Sequence, residues 1–305
     1  MKRLTLLLAM AIICFTASAQ DQKDTIINPS KDTTINPAKD TIRVGGMIIV
    51  KEGQNKNGKD KVVKVEKDHS NHKLRNLSTN WGILDIGLAN YNDQTNYSNA
   101  GSYLVNRPGS PVLGKNDFTL RTEKSINVNI WFFMQRLNLI NHYVNLKYGL
   151  GLEFNKYYYK IYDNIPTISY REGGIIPYSG GVQTTSPFIF RDSIAYSKNK
   201  LKADYLTVPL MLNFVSNPHS NKKGVSLSVG ISGSYLYSQK NKQTSDAKGT
   251  LKNRGDYDME RFKFAYIAEL GLGPIRLYGS YSPHSMYERD LNIKPYTVGF
   301  RFSNW

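Results

Sequence analysis

Apolar and polar residues alternate strictly along eight stretches of this chain. Leu84, Ile86 and Leu88 are spaced by two, as are the runs Ile126 to Met134, Val144 to Phe154, Leu206 to Phe214, Val225 to Tyr237, Phe262 to Leu272, Ile275 to Tyr281 and Tyr296 to Phe302. A period of two places each series on one face of a β-strand. None of the forty positions so defined carries a charge, in a chain that is 21% charged. The opposite faces hold Asp85, Ser125, Asn127, Asn129, Asn145, Lys147, Glu153, Asn155, Asn213, Ser228, Lys263, Glu269, Arg276 and Arg301, with small glycines such as Gly87, Gly149, Gly230 and Gly299 between them. A polar interior wrapped by an apolar exterior is what a membrane-spanning barrel needs, because a Lys or Arg facing lipid at mid-bilayer costs roughly 2 to 4 kcal/mol. Alternation by itself does not say which face is buried, so a soluble antiparallel protein is the competing reading.

The connections weigh against that competitor. Residues 92–124, 159–200, 238–260 and 282–295 form long links that alternate with short turns at 138–142, 215–224 and Gly273-Pro274. Outer-membrane barrels have this asymmetry, with short turns on the periplasmic side and long loops outside. The spacing therefore predicts an all-β, eight-stranded antiparallel transmembrane β-barrel over residues 80–305. Aromatic residues fall near the expected strand ends: Trp81, Tyr143 and Phe214 on the periplasmic side, and Tyr91, Tyr157, Tyr158, Tyr205, Tyr237, Tyr281 and Tyr296 on the outer side. Amphipathic rings favour the headgroup level. Ile165 to Arg171 and Phe188 to Tyr196 also read as strands, most simply extending the third and fourth strands above the membrane. A ten-stranded barrel is the alternative, at the cost of a 15-residue connection on the short-turn side. Pro209 lacks an amide donor in a central strand, which predicts a bulge there. Trp305 is out of phase with Phe300 and Phe302, which predicts that the last strand ends at Phe302.

The amino-terminal region reads differently. Lys2 and Arg3, the apolar run from Leu4 to Phe15 and the small residues Ala17-Ser18-Ala19 have the form of a secretory signal peptide over 1–19, cleaved before Gln20. Ile13 is too bulky for a lipoprotein site at Cys14, and removal of Cys14 with the signal leaves a mature chain free of thiol chemistry. Past residue 20 no apolar run approaches the roughly 18 residues of a membrane-spanning helix. Residues 20–79 read as a mostly extended periplasmic tether. Asp24-Thr25-Ile26-Ile27-Asn28-Pro29-Ser30-Lys31 recurs as Asp32-Thr33-Thr34-Ile35-Asn36-Pro37-Ala38-Lys39, a degenerate octapeptide repeat too short for a solenoid. Arg43 to Val50 and Lys61 to Val65 form a candidate small hairpin.

Here the residues carry a resemblance. Trp81-Gly82-Ile83-Leu84-Asp85-Ile86-Gly87-Leu88-Ala89-Asn90-Tyr91, Tyr205-Leu206-Thr207-Val208-Pro209-Leu210 and the ending Val298-Gly299-Phe300-Arg301-Phe302 resemble the PorT-like outer-membrane β-barrel proteins of Bacteroidota over about residues 80–305. The resemblance implies an integral outer-membrane barrel. For the namesake subgroup it would imply an accessory role in protein secretion, although no residue here identifies that subgroup.

Charge and chemistry narrow the function further. The net charge of +16, or +14 without Lys2 and Arg3, would raise nucleic acid as a partner in a cytosolic protein. Export removes that prospect, and the basic residues are spread over loops, tether and lumen. From Lys51 to Asn76 there are eight Lys or Arg against four Asp or Glu, a surplus suited to a solvated linker, anionic headgroups or an acidic partner. Inside the barrel, Asp85, Lys147, Glu269, Arg276 and Arg301 fall toward the periplasmic half, and Glu153 and Lys263 toward the outer half. Glu269 and Arg276 are diagonal neighbours across Gly273-Pro274 and suited to an ion pair. Such charges most simply form a structural ion-pair network that closes an eight-stranded lumen, with a small channel as the alternative. The rival class is an outer-membrane lipid hydrolase or acyltransferase. Only His284, beside Ser282 and Ser285, is placed for it, and a base must reach its nucleophile. The pair His69 and His72 offers at most two ligands, so no metal site and no cofactor is expected. The expected partners are outer-membrane lipids, the β-barrel assembly machinery during biogenesis, and an envelope protein engaged through loops or tether. The resulting expectation is a non-enzymatic barrel serving as anchor, scaffold or accessory factor in envelope assembly or secretion.

Overall fold

The computed structural model describes residues 39–44, 47–52, 63–67, 74–162, 166–219 and 224–303. The chain divides into two units, residues 1–72 and 73–305. In the first, Lys39–Val44, Met47–Glu52 and Val63–Lys67 form an antiparallel three-stranded sheet with Met47–Glu52 in the middle. Residues 43 to 50, read from the sequence as one strand, are thus divided between two. The octapeptide repeat, the signal segment, His69 and His72 lie outside the described residues.

The second unit is built on a closed ring of eight antiparallel strands. These are β1 (Leu77–Asp93), β2 (Ile126–Ile140), β3 (Val144–Tyr158), β4 (Lys198–Val215), β5 (Val225–Ser245), β6 (Phe262–Leu272), β7 (Ile275–Tyr281) and β8 (Ile293–Phe302). Each pairs with its sequence neighbours, and β8 closes on β1 from Ile293↔Asp93 to Phe302↔Leu84. Closure at eight excludes the ten-stranded alternative. It also removes every sheet edge within the ring, which lipid requires because a free amide there finds no water. The short links are tight. Asn141 and His142 both adopt left-handed backbone (φ 45° and 63°) between β2 and β3, and Gly273 does so (φ 59°) between β6 and β7.

Outward-facing apolar side chains remain exposed all round the ring: Ile86, Leu88, Ile130, Phe132, Val208, Leu210, Val229, Ile231, Tyr266, Ile275, Val298 and Phe300 among them. A soluble monomer rarely exposes a contiguous apolar patch beyond a few hundred Å². An apolar belt is instead the lipid-facing surface of a transmembrane barrel. Met134, placed on that face by its spacing, is fully buried. The reason is a bulge in β2, where the register against β3 shifts between Trp131 and Phe133 and reverses the facing of the residues from Phe133 up to a second shift between Asn138 and Ile140. β1 matches it at Gly82, which takes φ 66°, so that Ile83 turns inward to pack with Trp131 and Met134.

No bulge forms at Pro209. The β4–β5 ladder runs through Pro209↔Ser232, while the β4–β3 ladder passes from Thr207↔Gly151 to Leu210↔Tyr148 without change of register and leaves Val208 and Pro209 unpaired. The proline's missing donor is absorbed by that gap. The bulge in β4–β5 lies higher, between Asp204 and Tyr205.

Above the apolar belt the long links fold into a crown. Ile168–Arg171 and Phe188–Arg191 pair with each other, and Leu104–Val105 joins Phe188–Arg191 in parallel. This small sheet stands apart from the ring, so the two segments do not extend β3 and β4 as their pattern suggested. The hairpin strand Gly249–Arg254 does extend the ring sheet, alongside the upper part of β5.

Candidate functional site

The lumen holds all seven of the ionisable residues singled out from the sequence, and they form two groups. In the lower group Arg301 donates to both carboxylate oxygens of Asp85, at 2.7 and 2.8 Å, and to Glu269 at 2.5 Å. Glu269 also accepts from Lys147 at 2.7 Å and from Arg276 at 3.1 Å. Trp131 Nε1 and Asn129 complete the shell of Asp85, at 2.7 and 3.1 Å. The Arg301 guanidinium lies 5.4 Å from the centre of the Trp131 ring. In the upper group Lys263 donates to Glu153, which also accepts from Asn155 at 2.8 Å and Thr207 at 3.2 Å.

The register explains why these residues meet. Asp85 is directly opposite Arg301 in β1–β8, and Glu269 is one diagonal step from Arg276 in β6–β7. Lys147 comes from β3 across the lumen. Lys147 and Glu269 are 1% and 2% exposed, so their charges stand in a space that only opposite charge makes tolerable. Four cations meet three carboxylates, and hydrogen-bonding side chains take up the remaining lone pairs.

Three asparagines, not singled out as site residues from the sequence, join the two groups. Asn129 donates to Asp85, Asn127 donates to Asn129 at 3.0 Å and to Asn155 at 2.8 Å, and Asn155 donates to Glu153. The lumen network is therefore continuous from β8 to β6. Tyr278 reaches across the lumen to donate to Asn127. Its ring needs the bare backbone of Gly87 and Gly299, whose added Cβ atoms would stand 2.7 Å from Tyr278 atoms. A cavity among Asn129, Glu153, Thr207, Lys263, Tyr278 and Arg301 measures about 30 Å³, room for about two waters.

The crown closes the upper end. Tyr91, Tyr157, Tyr158 and Tyr205, assigned by position to the outer aromatic girdle, do not face lipid. Tyr157 and Tyr205 are 2% exposed and point inward, and Tyr91 donates to the Phe118 carbonyl. Tyr158 faces outward but is covered by cations. The girdle is left to Tyr235, Tyr237, Phe262, Tyr281 and Tyr296. Tyr157 and Tyr205 pack with Ala89, Tyr103, Phe118, Tyr159, Ile168, Tyr170, Ile189, Leu201, Tyr257, Met259, Tyr287 and Ile293 in one apolar core over the lumen. Within it the hydroxyls of Tyr159, Tyr170 and Tyr287 form a chain with spacings of 2.6 and 3.1 Å. Burial pushes the Tyr170 and Tyr287 hydroxyls well above their ordinary pKa. Arg191 is the polar staple: it donates to the carbonyls of Pro111 and Pro166 at 2.9 and 2.8 Å and to Asp117 at 2.9 Å, tying together segments from two loops. Nothing in the local sequence distinguishes Arg191 from a solvated loop arginine.

The candidate catalytic group is not assembled. Ser282 donates to the backbone carbonyl of His284 at 3.1 Å, and Ser285 donates to the Leu291 carbonyl at 2.6 Å. Among the described residues no hydrogen bond joins the exposed His284 ring to either serine, and no cluster of three or more His, Cys, Asp or Glu could hold a metal ion.

Comparison with known proteins agrees with this geometry. No curated protein sequence matches the chain. Among solved structures, Ail, the attachment invasion locus protein of Yersinia pestis, determined in complex with the heparin analogue sucrose octasulfate, is similar at 14% identity, over 73% of this chain and 99% of that chain, with a TM-score of 0.26. A likeness at that score carries no argument about function. The family model described as outer membrane protein beta-barrel domain matches residues 88–283, from the upper part of β1 through β7. The chain belongs to the outer membrane protein beta-barrel domain family.

Proposed function

We propose that this protein is a closed, non-enzymatic outer-membrane barrel that anchors, scaffolds or assists an envelope assembly. The observation that carries this reading is the filled interior. A conducting pore needs a continuous water path, whereas here an ion-paired lumen is roofed by a packed aromatic core. The seven lumen ions are on this reading structural. Beneath that roof the buried charges pair with one another and hold the wall together. The unassembled His284 group favours a scaffold over a lipid-modifying enzyme.

In the full assignment residues 1–19 are a signal peptide, residues 20–79 a periplasmic tether with the amino terminus in the periplasm, and the crown faces outward. Contacts to an envelope partner come from the crown or the tether.

Reconstitution into planar bilayers tests the closed lumen. The expected result is no stepwise current of porin size, and porin-like single-channel currents would overturn it. Cross-linking and capture from intact cells, with and without residues 20–79, tests the scaffold role. A reproducible envelope partner is expected, and recovery of none in either form counts against the role.

A further inference from the structure

The outer face of the crown, above β3, β4, β5 and the Gly249–Arg254 strand, carries an ordered grid of cations. In register, Lys156 lies opposite Lys202, Lys202 opposite Lys240, and Lys240 opposite Arg254. One row further from the belt, Tyr158 lies opposite Lys200, Lys200 opposite Lys242, and Lys242 opposite Lys252. Lys198 begins a third row. Side chains directly paired in an antiparallel ladder point to the same side, so these eight cations share one surface. Like charges set directly opposite one another destabilise a sheet. Among the described residues no carboxylate forms an ion pair with any of the eight. The Tyr158 ring is flanked by Lys200, Arg121 and Lys124 at 4.8, 5.8 and 5.6 Å, so cations stack there as well.

The grid's height is informative. On the same face, Phe154 and Asp204 lie in the row just below Lys156, Lys202 and Lys240, with Tyr237 unpaired at the bulge beside them, and Leu206, 39% exposed, lies in the next. Two residues along a strand span roughly 7 Å, so the first cation row stands two steps, about 14 Å along the strand, above the apolar row at Leu206, with Phe154 and Asp204 between. That is the level of headgroup phosphates. Eight cations with one neighbouring carboxylate, Asp204, whose charge acts on Lys202, Lys240 and Arg254, leave a large positive surplus. A surplus of that kind next to an apolar belt matches an amphiphile that carries phosphate at its head and acyl chains below it. A soluble polyanion would use the cations and ignore the belt.

We propose that this grid binds phosphate groups of an anionic glycolipid in the outer leaflet, with Lys156, Lys200, Lys202, Lys240 and Lys242 at its centre and the girdle around Tyr237 taking the acyl chains. The assignment to the outer leaflet rests on the proposed orientation of the crown. The lipid neutralises the like-charge rows, and its removal leaves them opposed.

The test uses the full-length protein in phosphatidylcholine vesicles doped with bisphosphorylated lipid A, or with the same lipid enzymatically dephosphorylated, and dextran sulfate as the soluble polyanion. Retention of each ligand by detergent-released protein is read by native mass spectrometry. The expected result is retention of bisphosphorylated lipid A and loss of retention on dephosphorylation. The variant combining Lys200→Gln, Lys202→Gln, Lys240→Gln and Lys242→Gln is expected to weaken binding by roughly tenfold or more, since each basic residue near an anionic surface contributes substantially. Its gel mobility and thermal unfolding in undoped vesicles establish that it folds. Equal retention by the folded variant, or indifference to the phosphates, would overturn the proposal. So would dextran sulfate binding more tightly than lipid A. A Thr250→Cys variant with Cys14 replaced by alanine, labelled on intact cells with an impermeant maleimide, reports the leaflet separately. Labelling is expected. Absence of labelling, with phosphate-dependent retention intact, would overturn the outer-leaflet assignment and the orientation while locating phosphate recognition on the grid.

Discussion

The lower lumen and the crown are two regions of one strand ring with opposite polarity. In β4 the inward positions read Asn199, Leu201, Ala203 and Tyr205 in the crown and then Thr207, Pro209, Met211 and Asn213 below, while the outward positions read Lys198, Lys200, Lys202 and Asp204 above and Leu206, Val208 and Leu210 below. β5 shows the inward change only at Leu236, above Ser234, Ser232 and Ser228; higher up its inward Asn241 and Gln243 are buried and hydrogen-bonded to Asn199, Ser169 and the Ile168 carbonyl. β4 keeps its facing through the boundary, β5 adjusts by the bulge opposite Asp204 and Tyr205, and for both strands the solvent outside changes. Where water surrounds the strands, apolar groups gain by turning inward. Where lipid surrounds them that gain vanishes, and the interior is left to polar groups that must satisfy one another. The lower region is consequently held by ion pairs and hydrogen bonds, and the crown by apolar packing.

The comparison is broken most severely at Glu269. Glu269→Leu removes the carboxylate that Lys147, Arg276 and Arg301 share in the lower lumen. A loss of about 3 to 5 kcal/mol is expected, the usual consequence of removing one partner from a buried charge group. Urea unfolding in vesicles followed by tryptophan fluorescence would measure it. The matching change in the crown is Ile189→Ala, at a residue that is fully buried. It should cost about 2 to 4 kcal/mol, and the loss should be local: protease cuts the long loops sooner while the folded barrel keeps its gel mobility. If Ile189→Ala lowered barrel unfolding as much as Glu269→Leu does, the two regions would be one cooperative unit and the contrast would fail.

Much of this arrangement was legible in the chain. The apolar phase gave the lipid-facing side of all eight strands, because charge exclusion from lipid is severe enough to leave a period of two. Eight strands and the order of long and short links followed with it. The same phase also placed Tyr91, Tyr157 and Tyr205 with Asp85, Glu153 and Thr207 on the inward face, yet an aromatic girdle was the simpler expectation for tyrosines near strand ends. Parity was the better guide there, since it reports direction while proximity to an end reports only height. Met134 defeated parity because a bulge reverses facing without leaving any mark in the composition of β2. The crown was least legible. Its small sheet joins Leu104–Val105 to Phe188–Arg191 across more than eighty residues, and Arg191 is a staple only because segments of two loops meet at it. No local pattern encodes such meetings.

A sharper contrast comes from one change made at two heights on the outer face of β5. Val229→Lys introduces a cation into the apolar belt and should cost roughly 2 to 4 kcal/mol if it lies near the midplane. Thr244→Lys places the same side chain on the same face in the crown, beside Lys198 and Thr250, and should remain within about 0.5 kcal/mol of the parent. Unfolding of both variants in the same vesicles gives the difference directly. Equal costs would mean that Val229 does not face hydrocarbon.

The smallest effect expected is alkaline, and it should be confined to the crown. Burial, aided by Asp192, whose carboxylate accepts from the Tyr196 hydroxyl at 2.9 Å, pushes Tyr196 up to about 12. Burial also pushes Tyr257 up to about 12, and Tyr103, Tyr170 and Tyr287 stand well above the ordinary value of 10.0. Between pH 10 and 12 the unfolded crown would release these protons while the folded one retains them. The folded state then binds more protons, and its stability falls as pH rises. The stabilisation is complete below pH 10 and is lost upward through that window. Tyrosinate absorbance should rise late relative to free tyrosine, and amide exchange in the loops should accelerate before exchange in the belt strands. Burial and the like charges of Lys156, Lys242, Lys198 and Lys202 lower Lys200, so its loss of a proton relaxes repulsion in the grid, which acts with the opposite sign. Repeating the titration in the protein carrying Lys200→Gln, Lys202→Gln, Lys240→Gln and Lys242→Gln removes most of that relief, so the loosening should become steeper. If the slope is unchanged, the grid contributes nothing to crown stability. If the crown stays as protected at pH 12 as at pH 8, its tyrosine core is not what holds it closed.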